Sequence, residues 1–161
     1  MRIPNSFVTR FTQASDLKLA CVFYSLIHKN TKRNLLGYEI TVKQTTLVSL
    51  CGFSASTVKR AVSSLLKSGF IKSQKRQTNA PGKLGTYTYT IDVVSTASKY
   101  FTMDKKLISR LNGNEFRVYA MCCKLADSSH KSFFQSYNDL SQLLGMSRQD
   151  VLRTMRKACK R

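Results

Sequence analysis

An α+β fold, mainly helical with a small β-hairpin and built from two tandem copies of one helical unit, is what this sequence predicts. Three observations carry the expectation. At a shift of 93 positions Leu47, Leu50, Gly52 and Ser54 fall on Leu140, Leu143, Gly145 and Ser147, with Val58 on Val151 and Arg60 on Arg153, and self-similarity at a fixed period marks a structural unit used more than once. In both copies a glycine and then a serine separate two runs of helix-spaced apolar residues. After Gly69 the pattern changes to β-branched and aromatic residues, from Phe70 to Arg76 and from Thr86 to Ile91, the composition of paired strands.

Taken in order, Phe7–Thr9 and Phe101–Met103 occupy matching places as short opening strands. Leu17, Ala20, Cys21, Tyr24 and Ile27 recur every three or four residues behind Ser15 and Asp16, which predicts an amphipathic first helix. Asp16–Leu19 matches Glu115–Val118 at a shift of 99, so the first copy carries about six extra residues before its second helix. The polar stretch Asn30–Gly37 is expected to hold them as a loop. Leu47, Leu50 and Cys51 form the second helix; Gly52 ends it and Ser54 caps a third, with Val58, Ala61, Val62 and Leu65 inward. In the second copy Gly145 ends a helix, and Ser147 with Asp150 opens the next in the manner of a capping box. Asn79–Gly82 and Gly85 supply the turn of the hairpin, and Val94–Ser98 reads as the join. Two domains follow, 1–97 and 98–161. The sequence given stops inside the second copy's third helix, so a second hairpin is not expected there.

Charge bounds the function. Lys and Arg number 27 against 8 Asp and Glu, a formal net charge of +19, which calls for a polyanionic partner. No stretch approaches the roughly 20 apolar residues that span a bilayer, and no apolar run followed by a cleavage site opens the chain. A cytoplasmic, nucleoid-associated location without membrane partners is expected. The five cysteines, Cys21, Cys51, Cys122, Cys123 and Cys159, read as reduced and mostly buried. Catalysis is not expected: the carboxylates are scattered, and His28 and His130 lack triad-like or metal-like neighbours. No metal and no cofactor are expected either. Cys122 and Cys123 fit a helical core pattern with Val118 and Tyr119 better than a ligand cluster.

The run from Leu47 through Ser54, Val58, Ala61 and Leu65 to Lys67, Gly69, Phe70 and Ile71 resembles the winged helix-turn-helix domains of bacterial, plasmid and phage regulators and replication initiators. Residues 1–93 carry the resemblance in the first copy and 101–161 in the second, which lacks the wing. It implies a third helix that enters the major groove and a hairpin that meets the adjacent backbone. On a helical wheel Ser56, Arg60, Ser63 and Lys67 form a stripe opposite Val58, Val62 and Leu65, with Lys59 beside it. At the same 93-residue shift, Gln149, Arg153, Arg156 and Lys160 repeat the stripe, with Arg148 beside it. Arg and Gln read base edges in two-pronged fashion. Residues 40–91 hold eight Lys or Arg and no acid, and Lys72, Lys75, Arg76 and Lys83 place cations on or beside the hairpin, for phosphates or for the adjacent minor groove. Tyr87 and Tyr89 alternate on the last strand, and one of them is expected in the core.

Double-stranded DNA is therefore the expected partner, bound sequence-specifically. Nonspecific compaction of DNA is one alternative. A helix-turn-helix fold acting as a protein-binding inhibitor or adaptor is another, and a homodimer would be a second route to paired reading heads.

Overall fold

Spacing, caps and glycines divide the described residues into fourteen elements. The computed structural model describes residues 1–80, 83–92, 99–126 and 132–158, with backbone alone at 78–80, 83, 84 and 158. In chain order these are β1 (Arg2–Pro4), α1 (Ser6–Arg10), α2 (Ala14–Ser25), β2 (Arg33–Asn34), β3 (Gly37–Val42), α3 (Gln44–Cys51) and α4 (Ala55–Lys67). Then follow β4 (Ile71–Ala80), β5 (Lys83–Ile91), β6 (Tyr100–Thr102), α5 (Leu107–Arg110), α6 (Gly113–Leu125), α7 (Tyr137–Leu144) and α8 (Arg148–Ala158). The fold is mixed α+β with small antiparallel sheets. Two compact units form: a central one, Leu19–Ala97, and a terminal one that joins Met1–Lys18 to Ser98–Arg161.

In the central unit Gly52 takes the left-handed conformation, φ 62° and ψ 32°, and its N–H closes α3 on the Val48 carbonyl. Ser54 then caps α4, its hydroxyl accepting from the Thr57 N–H at 3.3 Å. Val58, Ala61, Val62 and Leu65 are the buried face of α4, as their spacing predicts. The sheet runs β2-β3-β5-β4, antiparallel throughout. Ile40 opposes Tyr89 and Val42 opposes Tyr87; since alternate residues share a face, Ile40, Val42, Tyr87, Tyr89 and Ile91 point to one side. That side is the core, where Phe23 lies 4.9 Å from Tyr89 between ring centroids. The other side is a hydroxyl ladder, with Thr41 and Thr88 at 2.9 Å and Ser73 donating to Thr90 at 2.9 Å.

Three expectations for this half need correction. The stretch Asn30–Gly37 is not simply a loop: Arg33–Asn34 and Gly37–Val42 form a second hairpin, with Tyr38, Ile40 and Val42 supplying the alternation of a half-buried strand. Gly85 lies within β5 instead of the turn; of that turn, Asn79 and Ala80 end β4, while Pro81 and Gly82 lie outside the described residues. Finally, α2 is buried on every side from Asp16 to Phe23, so it is a core helix and not an amphipathic one.

The terminal unit departs further. Phe7–Thr9 is helix α1, and the opening strand is β1, which pairs antiparallel with β6, Ile3 opposite Phe101. The two opening strands thus pair with each other, the Met1 ammonium donates to the Met103 carbonyl at 2.6 Å, and residues 1–18 join residues 98–161 although sequence order assigned them to the first half. α6, α7 and α8 pack on one another, and α6 also on α1. Asn112 with Glu115 and Ser136 with Asp139 form capping boxes that open α6 and α7. Gly145 repeats the break seen at Gly52, with φ 59° and ψ 37°. At α8 the Asp150 N–H donates to Ser147 Oγ at 3.1 Å, and the Ser147 hydroxyl returns a bond to the Asp150 carboxylate at 2.7 Å. The join at Val94–Ser98 lies outside the described residues.

Lys18 is wholly buried in the terminal unit and donates from Nζ to the Leu111 carbonyl at 2.5 Å. Nothing in its flanks, Leu17 and Leu19, distinguishes it from a surface lysine. Lys18→Met fills much of the same volume but leaves a buried carbonyl without that donor, which costs about 1–3 kcal/mol. Urea unfolding followed by circular dichroism is expected to show that loss; a variant as stable as the parent would mean that the ammonium contributes nothing net.

Candidate nucleic-acid interface

The outward side of α4 carries Ser56, Lys59, Arg60, Ser63 and Lys67, all exposed. Helix periodicity sets them opposite the apolar positions that anchor α4 to the core, so packing fixes the face that remains outside. Ser56 lies at the capped end, its hydroxyl 3.0 Å from Ser54 Oγ. Lys67 lies in the last turn, where a cation suits the negative end of the helix dipole. Beside this stripe, Gln44, Lys59, Val62, Ser63, Gln74, Tyr87 and Tyr89 line a cavity of about 160 Å³.

Pairing distributes the hairpin residues between two faces. Gln74 opposes Tyr89 and Arg76 opposes Tyr87, which puts Gln74 and Arg76 on the face that includes the cavity. The Arg76 guanidinium stacks over the Tyr87 ring at 5.2 Å, an arrangement that holds a cation without neutralising it. Lys75 opposes Thr88 and is exposed on the reverse face. Lys72 folds back to Asp92 at 3.6 Å. The side chain of Lys83 lies outside the described residues. Of the two tyrosines Tyr89 is the core member; burial pushes its hydroxyl up to about 12, so it stays neutral.

In the terminal unit Gln149, Arg153 and Arg156 are exposed on α8 and surround, with Leu152 and Lys157, a shallow concavity of about 360 Å³. Arg153 also reaches Asp150 at 3.6 Å, a surface pair worth at most about 1 kcal/mol and readily exchanged for a phosphate. Arg148 is exposed but lines a different cavity, with Tyr137, Leu140 and Met155. Lys160 lies outside the described residues. Lys157, Gln44 and Gln74 are neighbours that sequence reasoning missed. The signal for Lys157 was its place four residues after Arg153, one helical turn along the same face, whereas Gln44 and Gln74 come from elements whose juxtaposition no local pattern encodes.

The four described thiols are sheltered to different degrees. Cys21 and Cys51 are buried, and burial pushes the Cys21 thiol upward. Cys122 and Cys123 are half-buried, the latter also raised by burial; Cys159 and His130 lie outside the described residues. Among the described residues no group of His, Cys, Asp and Glu is assembled to hold a metal, and no helix is long and apolar enough to cross a membrane. Comparison with protein-family models, with characterised proteins and with solved structures finds no match to this chain.

Proposed function

We propose that the chain is a winged helix-turn-helix protein that binds double-stranded DNA sequence-specifically in the cytoplasm, as a regulator or an origin-binding replication initiator of a bacterium or mobile element. One observation carries the reading: Ser56, Lys59, Arg60, Ser63 and Lys67 lie exposed on a helix anchored by its opposite face, beside a hairpin on which Arg76 stacks over Tyr87, a residue that lines the cavity next to α4. A Gly-terminated helix leads into α4 and a basic hairpin follows it, the order in which winged helices place a reading helix and a backbone clamp. In this reading α4 enters the major groove and Arg60 grips a guanine edge. Arg76 and Lys75 meet phosphates from the two faces of the hairpin. The protein is a binder and performs no chemistry.

Selection of bound sequences from a random duplex pool, with affinity followed against salt, tests the proposal. A recovered consensus bound at least a thousandfold more tightly than random duplex supports it, in the lower part of the range typical of specific proteins, about 10³–10⁷. Equal affinity for all duplexes would make this a compacting protein, and no duplex binding would leave the adaptor role. Within the selected site, Arg60→Ala is expected to lose about 1–3 kcal/mol of discrimination at one base pair. Arg76→Ala weakens every duplex alike and lowers the salt slope by about 1. Isotherms on matched and single-base-changed duplexes separate the two; unchanged discrimination in Arg60→Ala would take α4 out of the groove.

A further inference from the structure

The central unit has a second projecting turn that the α4 face does not use. At the tip of the β2–β3 hairpin Leu35 is 105% exposed and Leu36 58%, and no other large apolar side chain of that unit is exposed among the described residues. The turn is built to hold them there. The Asn34 side-chain oxygen accepts from the Leu36 N–H at 2.8 Å and the Gly37 N–H at 3.0 Å, while its amide donates to Glu39 Oε1 at 2.8 Å. Glu39 in turn pairs with Lys32 at 3.3 Å, and Arg33 stacks on Tyr38 at 5.6 Å. Hydrogen bonds from Asn34 and Lys32 hold the Glu39 carboxyl below its ordinary range, so this clamp stays charged.

Cations flank the tip: Lys32 and Arg33 are exposed on the stretch that leads into the two leucines, and Lys29 is exposed three residues before Lys32, while the two acids at this end of the sheet are already paired, Glu39 with Asn34 and Lys32 and Asp92 with Lys72. Register fixes where the tip lies. Tyr38 pairs with Ile91 and Val42 with Tyr87, so Leu35 and Leu36 stand at the end of the sheet opposite the β4–β5 turn. The α4 cavity contacts the strands at Gln74, Tyr87 and Tyr89, toward that turn.

We infer that Leu35 and Leu36 form an apolar wedge for a segment of duplex DNA distinct from the one read by α4, entering the minor groove while Lys29 and Arg33 meet the flanking phosphates. This rests on the DNA reading proposed above. Charge selects an anionic occupant and disfavours a second copy, itself +19. The amount of apolar surface selects among anions. Prying open a base step takes one or two apolar side chains flanked by cations. A stable protein contact covers about 800 Å² per partner, and a lipid surface rewards a wider apolar face; two isolated leucines offer neither. Flexible pyrimidine–purine steps are the sites such a wedge prefers.

The chain contains no tryptophan, so Leu35→Trp in the full chain provides one indole at the tip. Titration with a mixed-sequence duplex is expected to shift its emission to the blue and quench it by stacking on bases. Leu35→Ser with Leu36→Ser binds duplex about tenfold or more weakly, by the loss of apolar burial, at an unchanged salt slope. Lys29→Ala with Arg33→Ala instead lowers that slope by about 2. If the parent binds duplex, the serine pair binds it equally well and the indole does not respond, the wedge is overturned and the α4 reading stands; if the parent binds no duplex, both fall. An indole that responds to phosphatidylglycerol vesicles but not to DNA, or to raised protein concentration alone, overturns the wedge in favour of a lipid surface or a second copy.

Discussion

Gly37→Ala is expected to remove a large part of the central unit's stability. The backbone at Gly37 has φ +152°, and a Cβ added there would stand 1.8 Å from the Ile91 carbonyl oxygen and 2.7 Å from its carbon. Both are main-chain atoms of β5, held in the sheet by pairing on each side, so no flexible side chain can yield. The strained conformation costs about 1–3 kcal/mol and the forced separation of the strands about 1–3 more, against a total of about 5–15 kcal/mol for an ordinary domain. Gly145 is the control. Its φ is +59° but nothing lies within 4 Å of an added Cβ, so Gly145→Ala costs only the left-handed conformation, about 1–2 kcal/mol. Urea unfolding of both variants, followed by tyrosine fluorescence and circular dichroism, compares them. Equal losses would show that β3 has room to move away from Ile91, and that register here is not locked by the glycine.

The contrast between these glycines also explains what sequence could and could not reveal. Gly52 and Gly145 act locally: each ends a helix, a serine follows, and spacing alone locates both breaks and the inward face of α4. Gly37 acts through a strand more than fifty residues away: Tyr38, Ile40 and Val42 alternate locally as a strand does, but that the glycine before them must lie against Ile91 is set by the long-range pairing with β5. The same holds for β1 and β6, which pair although Ile3 and Phe101 are 98 residues apart, and for Lys18, whose partner carbonyl at Leu111 is 93 residues distant. The exposed residues of the candidate interface were legible because a helix face needs only its own period. Which hairpin cations turn toward α4 was not legible, since bulges between Ile71 and Ser73 and between Arg76 and Thr78 shift the register of β4 against β5.

Repetition of the α4 stripe on α8 leads to the other large effect. Gln149, Arg153 and Arg156 are exposed on α8 after the same left-handed glycine break that precedes α4. If both helices read DNA, each raises the local concentration of the other, and linked heads bind about 10²–10⁴-fold more tightly than one alone. Arg153→Ala with Arg156→Ala is therefore expected to lower the affinity of the full chain for its selected site by that factor and to shorten its footprint. These exposed side chains lie outside the packing of Val151 against the core, so the fold should persist, and circular dichroism checks it. Affinity alone would not separate lost base reading from lost general attraction, because two cations are removed. The salt slope does: two phosphate contacts lower it by about 2, and base contacts change affinity on the selected site more than on random duplex. An unchanged footprint and affinity in a folded variant would show that α8 does not read DNA, and would leave the second head to a homodimer.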